Sequence, residues 1–545
     1  MRSFFHPTAR GRPSLLIPGL FVALLVRCAG SGDSIAAAAS PGVNVLTYHN
    51  DLARTGQNLQ ETILTPANVN CASFGKVGFY ATDGQVYAQP LYLSHQTVAG
   101  ARHNVLYVAT EHDSVYAFDA DTGAVLWQTS LLGAGEIPSD DRGCGQIEPE
   151  IGVTATPVID PGTGPHGTLY VVGMSKDRTG RHFQRLHALD VITGAEMPGS
   201  PATIEAECPG SGENSVNGRL VFDPAQYKER TGLLLLNGVI YTCWASHCDH
   251  PPYNGWIIAY NARTLARAAV LNLTPNGTEG ALWASGAAPA ADADGTIYLL
   301  AGNGTFDTDL DARGFPRRQD FGNAFLKLST AGGQLAVTDY FTMKNVVWES
   351  SVDWDLGSGG ALRLPDCTDT SGRVRRLAVG AGKGQTIYVV DCDHLGGFHA
   401  DRNDVYQELT GVLAGQEYGM PAYFDGTVYY GAMTDAIRAY PVMQARLATT
   451  ASSQTKNKFT YPGATPGISA NGATGGIVWA IELRDPAVLY AYDARNLARE
   501  LYDSNQAPGG RDQFGSGIKF ATPTIANGRV FVGAAAGVAV FGRRP

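Results

Sequence analysis

The sequence predicts an all-β protein built as one eight-bladed β-propeller, with seven blades as the alternative. An alternating apolar motif that ends near an Asp or Asn recurs about every 50 to 70 residues along the chain. Each copy follows another β-rich run such as "VLYV" or "VIYT", and no long stretch has helical periodicity. The 66 glycines and only 17% charged residues suit short strands joined by turns. Units of this kind hide their sheet edges by closing a ring.

The first copy of the motif reads "VYAFDADTGAVLW" and shows what each unit is expected to contain. Asp119 and Thr122 are predicted to cap the turn between the two outer strands. Trp127 is predicted to pack between neighbouring blades. The later copies reach the equivalent position at Asp190, Asn261, Leu328, Asp391, Pro441, Asp493 and Gly542.

The two ends of the chain are expected to meet. The last unit, "FATPTIANGRVFVGAAAGVAVFG", is too short for a full blade. The alternating stretch "ASFGKVGFYAT", residues 72–82, can supply the missing outer strand. We therefore assign residues 72–545 to the propeller and residues 40–71 to an N-terminal extension. Its "YHNDLARTG" stretch is expected to pack against the propeller, with an axial ligand site as the alternative.

The first 39 residues have the pattern of a secretory signal peptide. Arginines precede the apolar run of residues 15–26, and small residues offer a cleavage point near Ala39. We expect an exported protein, periplasmic or extracellular, with no transmembrane helix after cleavage. A net charge of −10 without any basic run argues against nucleic acid as a partner.

Cleavage would leave an odd number of cysteines for an oxidising compartment, so at least one lacks an intramolecular partner. "CWASHC" places Cys243 and Cys248 close enough to pair. Cys367 and Cys392 flank one hairpin-like unit and form the second predicted pair, although sequence alone leaves the connectivity open.

From about residue 48 to residue 541 the repeats, "AFDADTGAVLW" above all, resemble those of the quinoprotein alcohol dehydrogenase-like propellers, the PQQ-repeat family. In the enzymes of that family, pyrroloquinoline quinone (PQQ) lies near the axis with Ca²⁺ or a lanthanide. An Asp takes the hydroxyl proton of the substrate while hydride passes to the quinone. The same repeat also builds non-catalytic assembly proteins, so the resemblance implies the fold more strongly than the activity.

The resemblance implies roles for individual residues. "LLAGNGTFD" resembles the segment that supplies an amide oxygen to the metal, which points to Asn303. "SSVDWDLGSGG" resembles the stretch that carries the base, which makes Asp355 the base beside the metal and places Asp353 nearby. "GAGKGQTIYVVD" implies Lys383 on the quinone oxygens, and Trp283 in "ALWASG" would be the flat floor under the cofactor. The alternative is that these are ordinary turn residues.

Other positions depart from the family pattern. Where the enzymes have two adjacent cysteines, Cys144 follows Gly143, so no strained disulfide ring can form. Where an Arg would meet the carboxylates of the cofactor, Glu150 and its neighbours bring negative charge. We still expect Cys144 and Glu150 beside the cofactor. The metal-ligand Glu of the second blade is absent, and no "CxxCH" motif indicates a haem domain. Gly357 stands where lanthanide enzymes add an Asp, which favours Ca²⁺.

Two hypotheses for the function follow. One is a divergent dehydrogenase that depends on PQQ and Ca²⁺ and oxidises an alcohol or a sugar. The other is a non-catalytic propeller that binds a protein or a glycan in the cell envelope or outside the cell. Asn303, Asp355 and Lys383 favour the first hypothesis, and the departures from the pattern favour the second.

Overall fold

The structure, a computed structural model, describes residues 42–544 and contains eight sheets arranged as blades in a ring. The prediction of eight blades is confirmed and the seven-bladed alternative is wrong. The predicted signal peptide, residues 1–39, lies outside the described residues. Within residues 42–544, no helix is long and apolar enough to cross a membrane.

Blades are numbered here in the order of their inner strands, and the first four lie between residues 91 and 341. Their strands, blade by blade, are Leu91–Val98, Ala101–Ala109, Ser114–Asp119 and Val125–Ser130; Ile137–Pro138, Val158–Asp160, Thr168–Lys176, His182–Asp190 and Ala202–Thr203; Tyr227–Glu229, Leu234–Leu236, Val239–Ser246, Trp256–Asn261 and Arg267–Asn272; Ala290–Ala291, Thr296–Leu300, Phe325–Ser329 and Ala336–Phe341.

Blades 5 to 8 complete the ring, and the last two use strands from the N-terminal part of the chain. Their strands are Leu362–Arg363, Leu377–Ala381, Thr386–Asp391 and Gln407–Thr410; Ala422–Phe424, Thr427–Tyr430, Arg438–Met443, Arg446–Leu447 and Ser453–Gln454; Gln57–Asn58, Gly467–Asn471, Thr474–Glu482, Val488–Asp493 and Asn496–Asp503; Thr524–Ala526, Arg529–Ala534, Gly537–Arg543 and Phe74–Ala81.

A few short elements lie between the blade strands. They are the hairpins Glu207–Pro209 with Arg219–Val221 and Cys367–Thr368 with Val374–Arg375, the α-helix Val346–Ser351, and the 3₁₀ turns Ala284–Gly286, Ala331–Gly333, Leu356–Ser358 and Pro508–Gly510.

The recurring motif is a device for building and joining blades. Asp119 Oδ1 accepts hydrogen bonds from the backbone N–H and the hydroxyl of Thr122, which closes the turn between the two outer strands. Trp127 packs on the next blade: its indole N–H donates to Val191 O at 3.1 Å. A Cβ on Gly194, the glycine of the next copy of the motif, would lie 2.5 Å from that indole ring. Both predictions for the motif are confirmed.

The ring closes as the sequence predicts. Phe74–Ala81 pairs antiparallel with Gly537–Arg543 and forms the outermost strand of blade 8. Phe74 is fully buried, and its ring lies 5.4 Å from that of Trp479 in blade 7. The strand therefore joins the first part of the propeller to the last and also seals the contact between blades 7 and 8.

The N-terminal extension runs along the inner strands instead of lying on the outside. Residues 45–56 form backbone hydrogen bonds with six blades, through Tyr92 of blade 1, Ile159 of blade 2, Ala291 of blade 4, Arg363 of blade 5, Tyr423 of blade 6 and Ile468 of blade 7. Arg54 is completely buried and donates to Pro289 O at 2.9 Å and to Tyr48 O at 2.9 Å. The extension thus ties the inner edges of the blades together around the axis.

Both predicted disulfides are wrong. Cys248 bonds to Cys144, with 5.5 Å between their Cα atoms, while Cys243, Cys367 and Cys392 carry free thiols. Cys243 lies inside a strand and is buried in the core, whereas Cys248 follows the end of that strand and is exposed. Cys392 is buried in the core around blades 4 and 5, while Cys367 lies on a separate, partly exposed hairpin.

Candidate functional site

A cavity of about 300 Å³ lies at the centre of the propeller. Its lining comes from a loop of blade 2, from the first strands of blade 3, and from the turns and connections of the blades that follow, up to the connection between blades 7 and 8. Only a position near the axis can be reached from so many blades. The lining residues are Gln146, Lys228, Arg230, Ala245, Ser246, Cys248, Asp249, Trp283, Asp353, Lys383, Tyr418, Tyr461 and Phe520.

Five residues predicted from the resemblance form one polar cluster, in which Trp283, Asp353 and Lys383 line the cavity and the buried Asn303 and Asp355 lie behind them. Lys383 Nζ lies 2.5 Å from Asp353 Oδ1 and 3.2 Å from Asp355 Oδ1. Asn303 Nδ2 donates to Asp353 Oδ1 at 2.7 Å, and Trp283 Nε1 donates to Asp355 Oδ2 at 2.7 Å. Five side chains from blades 4 and 5 and their flanking connections are thus linked through two carboxylates.

The carboxylates of Asp353 and Asp355 differ in burial and therefore in their acid–base chemistry. The side chain of Asp353 is 65% exposed at the edge of the cavity, whereas that of Asp355 is 3% exposed. Burial raises the pKa of Asp355 to about 6, although the charge of Lys383 and the hydrogen bond from Trp283 oppose the rise. Asp355 is therefore a stronger base than an ordinary carboxylate.

Lys383 carries the fixed positive charge of the cluster. Burial alone would lower its pKa, but the nearby charges of Asp355 and Asp353 outweigh burial and raise it above the ordinary lysine value. Its ammonium also lies 5.5 Å from the ring centre of Trp283. Lys383 is therefore protonated at physiological pH.

The turn that carries Asp355 is held by its neighbours. Asn323 Oδ1 accepts a hydrogen bond from Leu356 N at 2.6 Å, and Asp355 O accepts one from Lys383 N at 3.0 Å. Gly357 lets the turn pack directly on the strand end that precedes Asn303, because a Cβ there would lie 2.4 Å from the backbone of Ala301. The spacing between Asp355 and Asn303 is thus fixed by backbone contacts.

Aromatic rings form much of the remaining surface. The ring of Trp283 lies 6.0 Å from that of Tyr418 and 6.2 Å from that of Phe520, and the rings of Tyr418 and Tyr461 are 5.5 Å apart. Aromatic faces of this kind suit a flat, conjugated ligand.

The sequence analysis missed two cations on the wall formed by blade 3. Lys228 and Arg230 are both buried, yet both line the cavity. They alternate in "YKERTG" at an inner strand of the blade, where residues two apart point to the same side. That alternation in a β-rich segment is the signal that could have found them. They bring to the cavity the positive charge that the sequence around Glu150 lacks.

Cys144 and Glu150, the other two residues predicted beside the cofactor, lie outside the polar cluster. Cys144 reaches the cavity through its disulfide with Cys248, which is one of the lining residues. Glu150 instead pairs with His112, with 2.8 Å between Oε1 and Nδ1, and is absent from the described cavity lining. Its negative charge therefore does not face the cavity directly.

The oxygen donors available to a cation are few. Asn303 Oδ1 is buried without a hydrogen-bond partner, and Asp355 Oδ1 has only the ion pair with Lys383. In residues 42–544, no group of three or more His, Cys, Asp or Glu side chains is arranged to hold a metal ion. The protein thus offers a hard cation an amide oxygen and carboxylate oxygens, short of a complete ligand set.

No family model matches the sequence, and no curated protein matches it. Solved structures do match. The quinohemoprotein alcohol dehydrogenase of Comamonas testosteroni has a TM-score of 0.59 at 13% identity, over 92% of this chain and 80% of that one. The quinohemoprotein alcohol dehydrogenase ADHIIG of Pseudomonas putida HK5 has a TM-score of 0.59 at 14% identity, with the same coverage. A europium-containing methanol dehydrogenase has a TM-score of 0.57 at 11% identity, over 92% of this chain and 98% of that one. The chain therefore has a PQQ-like β-propeller fold.

Proposed function

We propose that the axial cavity binds a pyrroloquinoline quinone type of cofactor and that the protein is a divergent dehydrogenase that oxidises an alcohol or a sugar. One observation carries the proposal: Lys383 lines an aromatic axial cavity, and the buried carboxylate of Asp355 lies directly behind it, 3.2 Å from Lys383 Nζ. Burial raises the pKa of this carboxylate to about 6, which supports its role as a base.

The described residues fit a flat polyanionic quinone. Trp283, Tyr418 and Phe520 offer ring surfaces, and Lys228, Arg230 and Lys383 offer positive charge. They fit Ca²⁺ less completely. Asn303 Oδ1 and the carboxylates of Asp353 and Asp355 would hold the ion, and its other ligands would come from the cofactor or from water.

When bound, the quinone supplies a two-electron acceptor for the hydride of the substrate. Asp355 accepts the hydroxyl proton of the substrate, which its raised pKa favours. Trp283 donates to Asp355 Oδ2 and so fixes the direction in which the carboxylate points. Lys383 supplies a positive charge beside the place where negative charge develops.

Reconstitution tests the proposal. Purified protein receives PQQ and Ca²⁺, and binding is read from the rise in melting temperature and from quinone absorbance that remains after dialysis. Dye reduction is then measured with a panel of primary alcohols and aldoses. We expect Asp355→Asn to reduce turnover by at least a hundredfold while it retains quinone binding, because the change keeps the shape and removes the base. Glu148→Gln, at an exposed carboxylate, is the control and keeps full turnover.

A different result would contradict the dehydrogenase. No thermal shift, no retained quinone and no dye reduction, with Ca²⁺ in excess, would leave the protein as a non-catalytic propeller that binds a protein or a glycan.

A further inference from the structure

Arg230 is a buried cation for which the protein provides no anion. The residue is 5% exposed, and its guanidinium lines the cavity. Within residues 42–544 it has no carboxylate within salt-bridge distance and no side-chain hydrogen bond, although it stacks on Phe520 with 4.7 Å from Cζ to the ring centre. Burying a charge without a partner is costly, so such a residue is retained where a ligand supplies the missing charge.

The surroundings make this wall more positive still. Lys228 lies two residues before Arg230, in the strand Tyr227–Glu229, and its ammonium is 3.1 Å from Asp141 Oδ1. Asp141 is already shared, since it also accepts hydrogen bonds from Ile147 N and Gln146 N and lies 3.4 Å from His247 Nδ1.

Two further groups act on Arg230. Lys519 is held by the side-chain oxygen of Gln146. Burial lowers the pKa of Lys519, and repulsion by the positive charge of Arg230 lowers it further. Glu111, a buried acid whose charge acts on Arg230, accepts hydrogen bonds from Gly152 N and Thr154 Oγ1 and forms no ion pair with Arg230. Asp249 also lines the cavity, but its Oδ1 accepts hydrogen bonds from Ser246 Oγ and Tyr253 Oη and it forms no ion pair with Arg230. The acids of this wall therefore leave Arg230 without a carboxylate within salt-bridge distance.

We infer that Arg230, with Lys228 beside it, is a binding subsite for a carboxylate group of the ligand in the axial cavity. A guanidinium presents two parallel N–H donors that match the two oxygens of a carboxylate, and an ammonium adds a point charge. The subsite also sets an orientation. Phe520 contacts both Arg230 and Trp283, and Trp283 bonds to Asp355, so the anionic end of a ligand lies on blade 3 and its reactive end lies at Asp355.

The inference deepens the proposed function and rests on it only for the origin of the carboxylate, which belongs either to the quinone cofactor or to an acidic substrate. The first measurement is independent of quinone chemistry. Benzene-1,3,5-tricarboxylate is titrated into the protein by calorimetry. We expect binding by the natural protein, at least tenfold weaker binding by Arg230→Met, and partial recovery in Arg230→Lys. Arg263→Gln removes one exposed charge of the same blade and leaves the affinity unchanged.

A second readout separates a binding role from a structural one. Without ligand, Arg230→Met should melt at the same temperature as the natural protein or higher, because it removes an unpaired buried charge. Absence of tricarboxylate binding, equal affinity in Arg230→Met, or a ligand-free melting temperature that falls by several degrees would each overturn the subsite.

The last arm identifies the source of the carboxylate. If Arg230→Met weakens binding of PQQ but leaves binding of its trimethyl ester unchanged, the cofactor supplies the carboxylate. The substrate supplies the carboxylate if PQQ binds equally to the natural protein and to Arg230→Met while the variant changes only one KM. In that case the KM for a hydroxy acid rises at least tenfold and the KM for a neutral alcohol is unchanged. If PQQ fails to bind and the tricarboxylate still depends on Arg230, the subsite stands and the quinone function fails. If PQQ binds equally to both proteins and neither KM changes, the subsite is overturned.

Discussion

Glu417 makes the stability of the propeller depend on pH. Its side chain is 1% exposed, one oxygen accepts a hydrogen bond from Gly419 N at 2.8 Å, and the other has no partner. Burial, reinforced by the charge of Asp435, raises its pKa from 4.5 to about 8. The unfolded chain releases this proton near pH 4.5 and the folded chain holds it until about pH 8. The contribution of Glu417 to stability therefore falls as pH rises through that window and is constant above it.

Glu417→Gln should abolish this pH dependence, because an amide cannot ionise. At up to 1.4 kcal/mol per pH unit, the variant should gain about 3 kcal/mol relative to the natural protein between pH 4.5 and pH 7, and about 4 kcal/mol by pH 8. Denaturant unfolding at pH 5, 7 and 8 measures the gap. Glu205→Gln, at an exposed carboxylate, is the control and should show no such growth. A gap between Glu417→Gln and the natural protein that is constant, or that narrows as pH rises, would refute the reasoning.

Three further predictions concern the joints of the ring. Phe74→Ala should lower the free energy of unfolding by about 3 to 5 kcal/mol, as measured by denaturant unfolding, because it empties a buried contact between blades 7 and 8. Gly194→Ala should lower the melting temperature more than Gly180→Ala: both glycines have positive φ, but only at Gly194 would the added Cβ meet an indole. Replacing Cys144 and Cys248 together by Ser should cost about 4 to 5 kcal/mol on a chain-entropy basis, and a reductant should destabilise the natural protein but not the variant.

The sequence predicted those parts of the fold that local chemistry determines. The turn at Asp119 is closed by residues within three positions of it, so its residue types identify it wherever it recurs. The closing strand was also predictable, because residues 74–81 alternate and the last blade lacks a strand. Counting the copies of the motif then gives the number of blades.

The sequence did not predict the features that depend on distant contacts. The Cys144–Cys248 disulfide joins residues 104 positions apart, and only the folded ring brings them together. The path of the N-terminal extension along six inner strands follows from backbone hydrogen bonds, which any residue type can form. Arg230 was missed for a related reason: whether a charge on a strand faces solvent or the axis depends on the position of the blade in the ring.

The distribution of unfavourable features indicates where this propeller is adapted to a ligand. The repeated motif supplies favourable turns and contacts between blades, and it adds no unpaired charge at the axis. Around the cavity the pattern reverses: Asp355 and Glu417 have raised pKa values, that of Lys228 is lowered to about 8, and Arg230 has no counter-charge. These features all lower the stability of the empty protein. Because sequences depart from local consistency mainly where function requires it, these features support the axial cavity as the ligand site of the proposed function.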